Sequence, residues 1–326
     1  MKAVLCKELG DPGNLIIDDV PEPELGHTDV RIRVHACGVN FFEILMIQGL
    51  YQRKPDLPFV PGTEVAGEVV EVGAGVHAIR PGDRVMAVTN DGGYAEEVVT
   101  NAALVLPIPE NMDYTEAAAF PINYGTAHLG LTRRARLQPD ETLVVFGASG
   151  GVGLAALEIG TVLGATVIAC ASTPEKLELT EQYGAKYTIN YSDEDVIERI
   201  KAITGGRGAD VFFDPVGGDM FDAALRCINW EGRLITVGYT SGTIPEVAAN
   251  RILLKNISLV GLYWGGYQQK DPATLLKSLH TLLGWYSNQR LKPHVSATYP
   301  LAEVSDAMQR LIDRESTGKV VLTIEA

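Results

Sequence analysis

An α/β fold, in which a doubly wound parallel sheet is joined to a second, β-rich domain, is predicted by three observations. From residue 121 onward, short apolar strands alternate with helical segments. A glycine-rich turn, Gly147-Ala148-Ser149-Gly150-Gly151-Val152-Gly153, joins one of those strands to the helix after it. Before residue 121, brief strands are broken instead by Gly and Pro, the pattern of a barrel-like or irregular β domain.

Each element follows from its residues. Residues 30–34 (VRIRV) alternate apolar and polar side chains, the period of a half-buried strand. Residues 66–73 (AGEVVEVG) form another strand ended by glycine, and Pro81-Gly82-Asp83 turns the chain into a strand at 84–88. Further on, strands are predicted at 142–146 and 166–171, with a helix over 151–163 between them. A helix over 174–183 has Thr173 to cap it and Pro at its first position. A helix near 193–203, a strand at 211–213, a helix near 219–228 and strands at 233–237 and 257–262 follow. Amphipathic helices near 272–287 and 301–313 precede a last strand at 319–324.

With 326 residues, two domains are the natural division. The chain is 46% hydrophobic and 21% charged, enough to bury large cores. Its net charge of -14 repels nucleic acid and anionic lipid, and no basic patch offsets it. The four cysteines form no C-x-x-C pair, and a disulfide framework is not indicated. The opening MKAVLCKELGDPGNL is too polar for a signal peptide, and no apolar run reaches the ~20 residues of a membrane span. A soluble, cytoplasmic protein is therefore expected.

The glycine turn carries the chemistry. It follows the strand LVVF and opens a helix, which is the setting a dinucleotide-binding turn requires. Glycines let the backbone approach a pyrophosphate, and the helix N-terminus offers it N–H groups and partial positive charge. At the end of the next strand, an acidic residue would select NAD by its ribose hydroxyl. The sequence there reads Cys170-Ala171-Ser172-Thr173-Pro174-Glu175-Lys176. Ser172 can donate to a 2′-phosphate and Lys176 brings a positive charge, so NADPH is expected over NADH. Glu175 does not count against this, because the helix dipole favours a carboxylate in the first turn.

These residues belong to a longer ordered set. It includes Cys37-Gly38-Val39-Asn40-Phe41-Phe42-Glu43, Gly49-Leu50-Tyr51, and residues 57–67 (LPFVPGTEVAG). Residues 81–85 (PGDRV), Ile189-Asn190-Tyr191, Asp214-Pro215-Val216-Gly217-Gly218 and residues 318–322 (GKVVL) complete it. In this set the chain resembles the zeta-crystallin-like quinone oxidoreductases of the medium-chain dehydrogenase/reductase superfamily. The resemblance implies a GroES-like catalytic domain over 1–120 and 266–326, and a Rossmann domain over 121–265. It also implies a homodimer that pairs edge strands of the Rossmann sheets, here the strand at 257–262.

Zinc-dependent members of that superfamily hold a catalytic metal with Cys and His. By the resemblance, Asn40 stands where the Cys would be and Thr63 where the His would be, and the four-cysteine lobe is absent. Amide and hydroxyl oxygens are poor substitutes for thiolate and imidazole, so no metal is expected. Without a Lewis acid, an alkoxide loses its stabilisation, whereas an acceptor that is already electrophilic needs less help. The resulting expectation is NADPH-dependent reduction of quinones or similar activated acceptors. Reduction of enals or enoyl thioesters on the same scaffold is the nearest alternative. A cofactor-binding structural protein or an RNA-binding protein is a remoter one, and the net charge speaks against RNA.

The resemblance also assigns residues. Asn40 would stand near the nicotinamide and hydrogen-bond the substrate oxygen, with Tyr51 lining the pocket. Thr126, Gly238, Tyr239, Leu262, Tyr263 and Trp264 would border the nicotinamide. Gly150, Gly151 and Val152 would meet the pyrophosphate through their backbone. Ser172, Lys176 and Tyr191 would hold the adenosine ribose and its phosphate. Lys319 would reach a cofactor phosphate or lie on the surface.

Overall fold

A computed structural model describes residues 1–325, which form two units. The first comprises Met1–Ile122 with the chain from Pro293 onward, and the second is Asn123–Lys292.

In chain order the strands are β1 (Lys2–Leu5), β2 (Ile16–Asp19), β3 (Asp29–Val39), β4 (Glu64–Val72), β5 (Arg84–Val88), β6 (Glu97–Asn101) and β7 (Val105–Pro107). The second unit contributes β8 (Thr142–Val145), β9 (Thr166–Ala171), β10 (Tyr187–Asn190), β11 (Ala209–Asp214), β12 (Ile228–Thr236) and β13 (Ser258–Gly261). The chain returns to the first unit with β14 (Val295–Pro300) and β15 (Lys319–Thr323).

In the first unit a seven-stranded sheet runs β14-β15-β3-β4-β5-β7, with β6 also on β3. Alternation along β3 places Val30, Ile32 and Val34 in the core, as the sequence period demands. The returning strand β15 lies antiparallel to the end of β3, with Val320 opposite Val39 and Val321 opposite Gly38. That register brings Lys319 beside Asn40.

The second unit carries a parallel sheet in the order β10-β9-β8-β11-β12-β13. Every residue of β8 and of β11 is buried, because helices cover both faces. The order reverses between β8 and β11, which creates a switch point at their carboxyl ends. The helix Gly151–Val162 begins just beyond β8. Thr173 caps the helix Pro174–Gln182 through the Lys176 N–H, as its position suggests. The helix near 193 starts only at Val196, because the Asp195 side chain accepts from the Ile197 and Glu198 N–H groups. β13 lies at the sheet edge, with β12 as its neighbour.

One boundary differs from expectation. Residues 266–292 group with the second unit and not with the N-terminal one. The helix Pro272–Ser287 explains this by its contacts. Leu275, Leu279 and Leu282 are fully buried, and Ser278 Oγ lies 2.7 Å from His128 Nδ1. Arg133 pairs with Asp271 at the start of this helix.

Candidate functional site

In the N-terminal unit a buried polar cluster forms where β3 gives way to the helix Phe41–Ile47. Asn40 is only 6% exposed, and its Nδ2 donates to Glu64 Oε1 at 3.0 Å. Lys319 Nζ donates to Asn40 Oδ1 at 2.6 Å and pairs with the Glu64 carboxylate. The second Glu64 oxygen accepts the Ile122 N–H at 3.0 Å. Lys319 is therefore neither a surface lysine nor a group free to reach a phosphate. It is 3% exposed, and its charge is compensated by Glu64.

Glu43 is a second buried carboxyl in the same region. It accepts from Thr63 Oγ1 at 2.6 Å, from the Tyr94 hydroxyl at 2.7 Å and from the Asn40 N–H at 2.9 Å. Burial nonetheless raises its pKa above the ordinary carboxylate range, although the hydrogen bonds and Lys319 pull it down. Thr63 is thus occupied as a donor to Glu43. Cys37 Sγ points to the Glu64 carbonyl oxygen at 3.1 Å, and burial pushes its thiol well above its ordinary pKa. Tyr51 is half-buried, with its ring 5.3 Å from that of Phe42. Among the described residues no set of three or more His, Cys, Asp or Glu side chains gathers as metal ligands.

Glu43 and Glu64 lie within the sequence motifs, but the sequence assigns them no role. The available signal was chemical: Glu64 opens a strand whose next residues, Val65, Ala66 and Gly67, are small or apolar, and a carboxylate there must find a partner.

In the second unit the glycine turn has the form an anion requires. Gly150 is the N-cap, without a side-chain cap, and no acidic residue stands in the first turn. Leu154 N–H is the first to bond back into the helix, on Gly150 O. The N–H groups of Gly151, Val152 and Gly153 precede that bond and form the positive end of the helix. Gly153 must be glycine, because a Cβ there would lie 2.4 Å from Gly147 O and 2.7 Å from Ala148 O. Close packing of helix on turn is what keeps those N–H groups directed outward at the switch point.

Ser172 and Tyr191 follow the neighbouring strands β9 and β10, whose ends pair Ala171 with Asn190. Tyr191 N–H donates to Ala171 O, and Ser192 Oγ to Ser172 O. Lys176 sits one turn into the helix after Ser172. The expected adenosine-binding residues are thus neighbours. At the other end of the sheet, Leu262 N–H donates to Thr236 O just beyond β12 and β13. Trp264 is 6% exposed, and its ring lies against Gly125, next to the buried Thr126. Among the described residues Trp264 Nε1 has no acceptor. Tyr239 packs against Gly217, and Tyr263 is half exposed beside Gly266. Gly238 follows β12 on the same side of the sheet, near Pro215 O.

Two family models match the chain. One, described as alcohol dehydrogenase GroES-like domain, covers residues 26–110, and one described as zinc-binding dehydrogenase covers residues 151–281. The chain is 46% identical over 325 residues to the quinone oxidoreductase-like protein 2 homolog of Nematostella vectensis, covering 98% of this chain and 88% of that protein. Escherichia coli quinone oxidoreductase complexed with NADPH is similar in structure, with 29% identity, a TM-score of 0.92 and coverage of 99% and 100% of the two chains. CurK enoyl reductase is also similar, with 27% identity, a TM-score of 0.90 and coverage of 99% of each chain.

Fold and matches together define a medium-chain dehydrogenase/reductase. The chain belongs to the quinone oxidoreductase-like family of that superfamily. No helix among the described residues is long and apolar enough to cross a membrane.

Proposed function

We propose that this protein reduces quinones, or other acceptors with a conjugated carbonyl, with NADPH and without zinc. The observation that carries this reading is the donor set at positions 40 and 63. An amide and a hydroxyl, both held in internal hydrogen bonds, offer little to a soft divalent cation. A reaction that needs a Lewis acid is therefore a poor fit, and one that starts from an electron-poor acceptor is a good fit.

Bound NADPH would supply the hydride. The chain's own part is to bind, orient and polarise. The uncapped helix at Gly151 suits the pyrophosphate, and Gly150, Gly151 and Val152 would hold it through backbone groups. Ser172, Lys176 and Tyr191 would hold the ribose phosphate. Thr126, Gly238, Tyr239, Leu262, Tyr263 and Trp264 would border the nicotinamide. Asn40 would donate to the acceptor's oxygen, with Tyr51 beside it, and proximity would supply much of the rate. The similar Escherichia coli quinone oxidoreductase complexed with NADPH, and relatives named for quinone reduction, support this reading.

The similarity to CurK enoyl reductase favours a second reading, reduction of enoyl thioesters or enals. One panel separates the two: NADPH oxidation followed with benzoquinone, an enone and an enoyl thioester. Fastest turnover with the quinone supports the first reading, and preference for the thioester replaces it with the second. Stoichiometric zinc in the purified protein would sink the zinc-free part of either.

A further inference from the structure

The Asn40, Glu64 and Lys319 side chains close a buried triangle. Nζ of Lys319 reaches Asn40 Oδ1 and Glu64, and Asn40 Nδ2 reaches Glu64 Oε1. Topology explains how residues so far apart in sequence meet. Val39 lies opposite Val320 and Cys37 opposite Val65, so β15 and β4 flank β3 just before Asn40. Between them is Gly38. A Cβ there would stand 2.7 Å from Glu64 Oε1 and 2.8 Å from Lys319 Cε. The ion pair crosses β3 only because that Cα is bare.

The triangle determines which way the amide points. Turned over, Nδ2 would face the ammonium and Oδ1 the carboxylate, donor against donor and acceptor against acceptor. Glu64 cannot swing aside to relieve this, because its other oxygen accepts the Ile122 N–H. An ammonium on Oδ1 also polarises the amide and strengthens its N–H groups as donors. One of the two Nδ2 hydrogens serves Glu64, and the other remains for a ligand.

We propose that Lys319 and Glu64 are positioning residues that lock Asn40 as a hydrogen-bond donor, so that the site selects acceptors through a carbonyl or quinone oxygen. The proposal rests on the reading of Asn40 given above. An oxygen that gains negative charge during reduction is stabilised by a donor fixed in advance. A rotating amide would present its oxygen part of the time and lose that preference.

The test uses Lys319→Met, Asn40→Ala and the double variant, with NADPH and benzoquinone. Lys319→Met should lower kcat/KM for the quinone about tenfold, while NADPH affinity, read by fluorescence, stays within about twofold. In the Asn40→Ala background the same change should cost nothing further, because a residue acting only through Asn40 has nothing left to position. Additive losses, or a loss of NADPH affinity in place of quinone efficiency, would overturn the proposal. If Lys319→Met strands the buried Glu64 charge and does not fold, Lys319→Met/Glu64→Gln keeps the charge balanced and should show the same loss. A second readout needs no turnover. In protein labelled with nitrogen-enriched asparagine, the Asn40 amide protons, identified by their absence in Asn40→Ala, should shift and lose exchange protection in the charge-balanced variant. An unchanged amide signal would overturn the lock. Wild-type protein that turns over no acceptor would sink the functional reading alone, and the amide signal would still judge the lock.

Discussion

Tyr124 donates its phenolic hydrogen to Glu158, with 2.5 Å between the oxygens, and this bond ties the helix Pro121–His128 to the helix that follows the glycine turn. The other Glu158 oxygen accepts the Lys292 N–H at 2.8 Å. Despite both donors, burial raises the Glu158 carboxyl from 4.5 to about 7. The folded protein therefore retains a proton there that the unfolded chain has already lost.

That retention predicts a pH dependence of stability. Between the two pKa values the folded state binds more protons, so this group's contribution falls as pH rises, by up to about 3 kcal/mol. Glu158→Gln should remove this contribution, so that its stability rises relative to the wild type's from about pH 5 to about pH 8, which urea unfolding at both would measure. If the variant and the wild type keep the same difference between those pH values, Glu158 is not the source.

His128 acts in the opposite sense. Burial lowers its pKa from 6.5 to about 4, so the unfolded chain binds the extra proton and stability is lost as pH falls through that interval. The two slopes oppose each other over most of their range, and together they should leave the wild-type profile nearly flat. His128→Gln should expose the Glu158 decline, seen as a steeper fall in the urea unfolding free energy from pH 5 to pH 7, of about 2–3 kcal/mol. A profile as flat as the wild type's would refute the pairing.

Cofactor choice is predicted at Ser172. A carboxylate there would face the 2′-phosphate of NADPH, so Ser172→Asp should lower kcat/KM for NADPH by about tenfold or more, while NADH improves or holds. Steady-state kinetics with both cofactors would check this. Equal losses for the two would place the ribose elsewhere.

The sheet edge predicts an assembly. Leu262 N–H faces β12 through Thr236 O, and alternation along the strand turns the Leu259 backbone outward. Gly261 O, also on that side, already accepts from Arg134 Nε at 3.0 Å. If two copies pair along β13, Leu259→Pro should remove an outward N–H and halve the mass seen by sedimentation equilibrium, with β12 pairing kept. An unchanged mass would exclude this edge as the contact.

Much of the fold was legible in the sequence because its signals are local. Full burial of β8 and β11 follows from their apolar runs, the Thr173 cap from its place before Pro174, and the uncapped helix start from the glycines at 150, 151 and 153. The candidate site was legible only in part. Asn40 and Thr63 could be singled out, but Lys319 was read as a surface or phosphate-binding residue. Nothing in the residues around it tells that Glu64 waits across a glycine on the neighbouring strand.

By itself, then, the sequence determined the elements, the glycine-rich turn and the residue types available for chemistry, since these depend on side chains a few positions apart. Tertiary structure alone decided that Lys319 neutralises Glu64 and grips Asn40, that helix Pro272–Ser287 packs with His128, and that Glu158 holds its proton near neutrality. The physical reason is that burial and charge pairing are set by whatever distant strand or helix excludes the water, and the local sequence carries no record of that partner.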